Sequence, residues 1–287
     1  MENAKKRKLD ILVLSDVHLG TYGCHAKELL HYMKSIKPNI VILNGDIIDI
    51  WQFSKRYWPK SHMKIIKYIL GWVSKGVEVY YVTGNHDEML RKFVGFEIGG
   101  LKIVNKVLLE IDGNKKAWFF HGDVFDVTMQ HSKWLAKLGA IGYDTLILIN
   151  RFFNFISEKI FKKGKISLSK KIKNSVKGAV KFINQFEQTA ADIAIANGYH
   201  FVVCGHIHQP EIRSIKNAEG EITYLNSGDW IENLTALEYV DSKWSIYQHQ
   251  EEAQLEDISE NEEDESSLST QQLFTKMFDE FNMNKMQ

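Results

Sequence analysis

Apolar positions along this chain follow two rhythms. Leu9–Ser15 is a short apolar, β-branched run that reads as a buried strand. In His25–Ile36 the residues Leu29, Leu30, Tyr32 and Met33 recur at helical spacing. Ile40–Leu43 predicts a second strand, Lys64–Trp72 a helix, and Val77–Val82 a third strand. Strand-helix-strand alternation of this kind predicts an α/β class, a sheet with helices on its faces. Asp112-Gly113 then supplies a hairpin turn leading into the strand Ala117–Phe120. Further on, Phe201–Cys204, Thr223–Leu225, Ala236–Tyr239 and Trp244–Tyr247 read as short strands joined by turns. That part of the sheet is expected to be antiparallel.

Two segments break the alternation. Residues 127–198 are almost continuously helix-forming and lie between strands, so they predict a helical cap inserted into the domain. Residues 251–287 open on a dense acidic run from Glu251 to Glu265, which predicts a disordered tail with a short terminal helix at Leu273–Phe281. The expected organisation is one domain built from residues 1–126 and 199–250, a cap at 127–198, and the acidic tail.

Composition narrows the setting. With 44% apolar residues, 287 residues can bury a sizeable core. The formal charge is zero, so attraction of the whole molecule to nucleic acid or membrane is not indicated, and local charge is what remains to consider. Cys24 and Cys204 are too few and too far apart for a disulfide framework. The first eight residues carry no apolar signal region, and no uncharged apolar run reaches the length of a membrane span. The expectation is a cytoplasmic protein.

The chemistry sits in five short signatures, each following an apolar β run. They are Asp16-Val-His18, Gly45-Asp46-Ile-Ile-Asp49, Gly84-Asn85-His86-Asp87, His121-Gly122-Asp123 and Gly205-His206-Ile-His208. In an open α/β sheet, ligands collect beyond the carboxyl ends of the strands, so five polar turns there can converge. Carboxylate, amide oxygen and imidazole suit Mn²⁺, Fe or Zn²⁺, and the absence of thiolates argues against a structural zinc site. Asp16 and His18, like His206 and His208, stand two apart and so share one side of an extended chain. A metal pair about 3.5–4 Å apart needs a bridging carboxylate, and Asp46 is placed to bridge. Singly, an Asp-x-His is an ordinary turn and a Gly-Asp an ordinary cap. The five in this order are specific.

In that order the signatures resemble those of the calcineurin-like metallophosphoesterase superfamily, across residues 16–208. The resemblance implies a four-layer α/β/β/α sandwich. It implies that Asp16, His18, Asp46 and His208 hold one divalent ion, and that Asp46, Asn85, His121 and His206 hold the other. It further implies that His86 contacts the phosphate and assists the leaving group, with Asp87 orienting it. The reaction would be hydrolysis of a P–O bond. Two cations acidify a water at neutral pH and offset charge on the phosphoryl oxygens.

Within the superfamily the chain is most similar to the UDP-2,3-diacylglucosamine pyrophosphatases of lipid A synthesis. The shared features are Ser-Asp-Val-His-Leu-Gly at 15–20, His121-Gly122-Asp123 followed by Asp126, the helical insertion, and Gln209-Pro210 after the last signature. This closer resemblance implies Mn²⁺, a nucleotide-linked glycolipid substrate, and substrate contacts from Asn174, Ser175 and Lys177 in the cap. One departure concerns His86, where that family carries arginine. A nucleoside monophosphate leaves readily and needs little acid help, whereas an alkoxide needs more, so histidine keeps other phosphomonoesters and phosphodiesters open as substrates.

The insertion adds a surface. Residues 134–161 carry an apolar face too wide for an ordinary solvated helix, including Trp134, Leu138, Ile141, Leu148, Phe152 and Phe155. Lys159, Lys162, Lys163, Lys165, Lys170 and Lys171 follow. Such a face packs on partner helices or meets acyl chains and an anionic bilayer. The second reading predicts peripheral association with the inner face of the inner membrane. Aromatic residues for base stacking are lacking except for Phe182, so nucleic acid is not an expected partner. Besides the lipid-pathway pyrophosphatase, two readings stay open: a soluble phosphodiesterase or phosphatase, and a metal-free binding protein of the same fold.

Overall fold

The computed structural model describes residues 6–51, 57–125 and 169–250, with side chains in the last segment from residue 183 onward. The expected acidic tail and most of the expected cap, including its apolar face at 134–161, lie outside these residues. Strand β1 (Arg7–Leu14) leads through a long turn to helix α1 (Ala26–Ser35) and then directly into β2 (Ile36–Asn44). Helix α2 (Lys60–Val73) precedes β3 (Glu78–Val82) and a 3-10 turn at Glu88–Phe93. Four short strands follow: β4 (Glu97–Ile98), β5 (Leu101–Val104), β6 (Val107–Ile111) and β7 (Lys115–Phe119). Helix α3 (Ser169–Ala196) then returns the chain to β8 (Phe201–Cys204), β9 (Glu211–Lys216), β10 (Glu221–Asn226), β11 (Thr235–Val240) and β12 (Lys243–Gln248).

Two sheets face each other. One has seven strands in the order β12-β11-β1-β2-β3-β5-β4, and the other five in the order β6-β7-β8-β10-β9. Both are mixed. The expected antiparallel region is present in β9–β10, β11–β12 and β1–β11, but β8 runs parallel to both β7 and β10. The hairpin expected at Asp112-Gly113 joins β6 to β7. Strands β4, β5 and β9 were not anticipated; β4 and β5 are short and only partly covered, so they lack a clear alternation of apolar and polar positions.

The period-2 alternation of the strands builds the layers. On β1, Ile11 and Val13 enter the core between the sheets, while Leu12 and Leu14 face α1 and α2. On β2, Ile42 points between the sheets and Val41 and Leu43 point to the helices. Helix α1 answers with Leu29, Tyr32 and Met33, and α2 with Ile65, Ile69 and Trp72. On the far side Val202 and Cys204 of β8 turn away from the inter-sheet core, where Val203 sits, and meet Phe186, Ala190, Ala191 and Ala194 of α3. These layers give the metallophosphoesterase-type sandwich.

One boundary needs correcting. The cap was expected to run to residue 198. Residues 186–194 instead form the outer helical layer over the second sheet, because Phe186 and the three alanines make an apolar stripe at helical spacing. Small side chains there let the helix lie close to β8 and β10.

Phe119 of β7 is fully buried between the sheets. Phe119→Ala should lower unfolding free energy by about 3–5 kcal/mol, read from urea denaturation.

Candidate metal centre

The parallel strands place their carboxyl ends at one edge of the sandwich, and the five signatures meet there. Asp16 and His18 follow β1, Asp46 follows β2, Asn85, His86 and Asp87 follow β3, His121 follows β7, and His206 and His208 follow β8. Their donor atoms form three overlapping triads: Asp16, His18 and His208; His18, Asp46 and His86; and Asp46, His121 and His206. Within each triad the donors lie within 4.8 Å of one another. His18 and Asp46 belong to two triads each. The amide oxygen of Asn85 lies 3.3 Å from His121 Nε2. The seven residues expected as ligands therefore converge, with His18 and Asp46 linking the outer triads through the middle one.

The backbone is bent to achieve this. Asp16, His18, Asp46, His206 and His208 all have φ between 50° and 70°, the left-handed region that side chains other than glycine rarely occupy. Each such residue costs about 1–3 kcal/mol and persists only where its surroundings hold it. Asp16 N–H donates to Gly45 O at 3.1 Å, and His18 N–H to Asp46 O at 2.9 Å, so the first two turns brace each other. The signature glycines make room for a neighbour's donor. A Cβ on Gly84 would lie 2.2 Å from Asp46 Oδ1, one on Gly45 2.3 Å from His121 Nδ1, and one on Gly205 2.7 Å from Asp16 Oδ2.

Hydrogen bonds set the direction of the rings. His121 Nδ1 donates to Asn44 O at 2.9 Å, which leaves Nε2 on the cluster side, 3.2 Å from Asp46 Oδ2. His208 Nε2 lies 3.2 Å from Asp16 Oδ1, and its Nδ1 faces Asp229 at 3.9 Å. Asp229 is itself fixed by the N–H groups of Ile231, Glu232 and Asn233. His86 Nδ1 lies 2.8 Å from Asp49 Oδ2, and its backbone N–H donates to Asp46 Oδ1 at 2.8 Å.

That last pairing corrects an expectation. Asp87 was expected to orient His86, but Asp49 holds the ring. The carboxylate of Asp87 turns inward and accepts from Tyr81 Oη at 2.6 Å, Gly84 N–H at 2.6 Å and Ile47 N–H at 3.1 Å. It shapes the loop. Asp49 sits three residues after Asp46 on a turn that folds back, a geometry that spacing alone does not reveal. Asp229, Asn44 and the Arg91–Asp123 ion pair, which ties the 3-10 turn at Glu88–Phe93 to the His121 turn, were also missed. Asn44, Arg91 and Asp229 lie in sequence with no signature of their own, and nothing in the fourth signature marks Asp123 as the partner of Arg91. Asn174, Ser175 and Lys177 lie on α3, in the part whose side chains are not described.

The electrostatics fit divalent cations. Asp16, Asp46 and Asp49 are all buried, and their ion-pair partners among the described residues are histidines. Burial works against the charge on Asp16, yet the field and hydrogen bond of His208 outweigh it and draw the carboxyl down to about 2. Burial likewise opposes charge on His208, and Asp16 overcomes it, raising the imidazole to about 9. His121 is raised by Asp46 against the same opposition. In a site so rich in negative charge, protonated histidines supply the balance that bound cations otherwise supply. Among the described residues the buried His18 Nε2 has no hydrogen-bond partner, as expected of a metal-ligand atom. Oxygen and imidazole donors with no thiolate suit Mn²⁺, Fe or Zn²⁺.

A sandwich of this type with a buried carboxylate–imidazole cluster at its strand ends defines a metallophosphoesterase. The family profile of the calcineurin-like phosphoesterases matches residues 9–210, and the chain belongs to that family. It is a metal-dependent hydrolase of phosphoric esters or pyrophosphates. A UDP-2,3-diacylglucosamine hydrolase of Aliivibrio fischeri is 24% identical over 257 residues, covering 83% of this chain and 98% of that one. A protein of the same name from Blochmanniella pennsylvanica is 24% identical over 221 residues, covering 75% and 85%. A DNA double-strand break repair protein of Methanococcus maripaludis is 26% identical over 207 residues, covering 70% of this chain and 49% of that one.

Three substitutions probe the geometry. Gly205→Ala should push the Asp16 carboxylate aside and lower metal content measured by elemental analysis, with circular dichroism unchanged. Asp49→Ala should slow turnover by about 10²-fold, the lower end for losing a positioned acid or base, while leaving melting temperature near wild type. Asp87→Asn should show the reverse balance, with about 1–3 kcal/mol of stability lost through its buried hydrogen bonds.

Proposed function

We propose that the chain hydrolyses the pyrophosphate of UDP-2,3-diacylglucosamine, giving UMP and the lipid phosphate, with two divalent ions, Mn²⁺ in the first instance. The observation that carries the reading is the chain of overlapping donor triads, in which His18 links Asp16 and His208 to Asp46, and Asp46 links His18 to His121 and His206. The substrate is taken from the similarity to UDP-2,3-diacylglucosamine hydrolases over most of the chain.

In this reading Asp16, His18, Asp46 and His208 hold one ion, and Asp46, Asn85, His121 and His206 hold the other. When bound, the ions supply Lewis acidity at the phosphoryl oxygens and a water acidic enough to act as nucleophile at neutral pH. His86, with Nδ1 against Asp49, keeps Nε2 for a proton or hydrogen bond to the departing oxygen. Trp51, itself exposed, lies beside the His86 ring with ring centroids 4.8 Å apart. Asn174, Ser175 and Lys177 would meet the substrate from α3.

A diacylated substrate lies in a bilayer, so the enzyme must reach one. Among the described residues no helix is long and apolar enough to cross a membrane. Directly after the His86 loop, however, Met89, Phe93, Phe96 and Ile98 are each more than half exposed. Large exposed apolar groups so close together usually mark a contact site. With the lysine-rich stretch at 159–171 they favour peripheral attachment to an anionic leaflet.

The second reading, a phosphodiesterase or phosphatase of another substrate class, is favoured by one observation. The paired His86 and Asp49 furnish an acid, which an alkoxide leaving group needs and a nucleotide does not. The deciding experiment incubates the protein and Mn²⁺ with UDP-2,3-diacylglucosamine and assays UMP by chromatography. UMP release that ceases on chelation and returns with Mn²⁺ is expected. Hydrolysis of chromogenic diesters without UMP release would favour the second reading. His86→Ala should slow turnover by about 10²–10⁴, with larger losses for poorer leaving groups.

A further inference from the structure

We infer that His62 is a positioning residue for the metal centre, its Nδ1 accepting the buried Gly20 N–H and so holding the turn that carries His18. The inference rests on the reading that His18 holds an ion.

His62 lies on the first turn of α2 and is 2% exposed. It shares the inward stripe of that helix with Ile65, Ile69 and Trp72. For packing alone a leucine at this position would serve, and a buried imidazole is costly unless it is hydrogen-bonded. The bond it makes reaches outside its own helix: Gly20 N–H donates to His62 Nδ1 at 2.9 Å. Gly20 has φ of 106° and stands two residues after His18, whose own φ is 52°. A left-handed turn of this kind persists only when its surroundings over-determine it.

The other bonds of the turn run elsewhere. His18 N–H donates to Asp46 O, Leu19 N–H to Ile47 O, and Asp49 N–H to Leu19 O, each at 2.9 Å and each to the turn after β2. Thr21 Oγ donates to His18 O at 3.0 Å, within the turn itself. His62 adds an anchor from the helical layer. Its ring is held edge-on by Tyr57 at 5.9 Å and Trp58 at 5.7 Å. Tyr57 in turn stacks on Tyr22 at 3.7 Å, so the segment at 57–62 grips the turn at two points. Accepting from an amide at Nδ1 puts the ring proton on Nε2, which fixes the tautomer. Loosening Gly20 would let His18 rotate away from Asp16 and His208, while the triad of Asp46, His121 and His206 would keep its own supports.

The test is a calorimetric Mn²⁺ titration of the full chain and of His62→Asn, His62→Gln and His62→Ala. Asparagine places an oxygen where Nδ1 stood, and glutamine places it one bond further out. Wild type and His62→Asn should bind two ions alike. His62→Gln and His62→Ala should keep one ion and bind the other about tenfold more weakly, a factor equivalent to about 1.4 kcal/mol. Unchanged affinities in all four proteins, or equal weakening in the asparagine and glutamine variants, would overturn the inference. Should the variants fail to fold, nitrogen NMR of wild-type His62 decides it, since a proton found on Nδ1 is incompatible with the proposed bond. Asp46→Ala serves as the control: if it still binds two ions, the reading of the centre itself fails, whatever His62 does.

Discussion

Buried negative charge at the strand ends is the constraint on which the rest of this structure depends. Asp16, Asp46, Asp49, Asp87 and Asp229 are all 2% exposed or less, and they crowd one edge of the sandwich. Taking carboxylates out of water is costly unless opposite charge or hydrogen bonds compensate. Here the work is divided. Asp87 and Asp229 are satisfied by backbone amides and by hydroxyl or amide side chains, whereas Asp16, Asp46 and Asp49 face imidazoles. The first pair hold loops in place. The other three create a potential well that a divalent pair would fill.

The architecture serves that well. Two sheets packed face to face bring the ends of β1, β2 and β3 within reach of the ends of β7 and β8. The inter-sheet core, with Ile11, Val13, Ile42, Phe119 and Val203, is apolar and close-packed, so it fixes that approach without contributing chemistry. Five donors then sit on left-handed backbone, and the glycines beside them remove the side chains that would collide. Strain and clearance are two halves of one device. The turns bend so that donors point inward, and glycines let adjoining turns come close enough to share them.

The choice of His86 and Asp49 bears on what the site is suited to do. A ring anchored at Nδ1 by a buried carboxylate has a fixed direction and a raised affinity for protons, since the hydrogen bond of Asp49 and the charges of Asp46 and Asp49 outweigh the opposition of burial. Under the proposed function, such a group would help the departing oxygen. Exposed Trp51 lies beside the His86 ring, and Met89, Phe93, Phe96 and Ile98 are exposed in the segment that follows the loop.

The sequence by itself determined the family, and it singled out the candidate donors that the fold brings together. Asp16, His18, Asp46, Asn85, His121, His206 and His208 were legible because metal chemistry restricts residue type, and because strand ends are marked by apolar runs that stop at a glycine or a charge. The layer structure was legible for the same reason: alternation on β1, β2 and β8 records which face meets a helix and which meets the other sheet. What the tertiary structure alone decided were the partners. That Asp49 and not Asp87 holds His86, that Asp229 faces His208, and that His62 reaches Gly20 depend on how turns from distant parts of the chain fold back on one another. A hydrogen-bond partner is chosen by position in space, and spacing along a strand carries no record of it. The same holds for α3, whose last turns look like any amphipathic helix until the second sheet is there to receive Phe186 and its alanines.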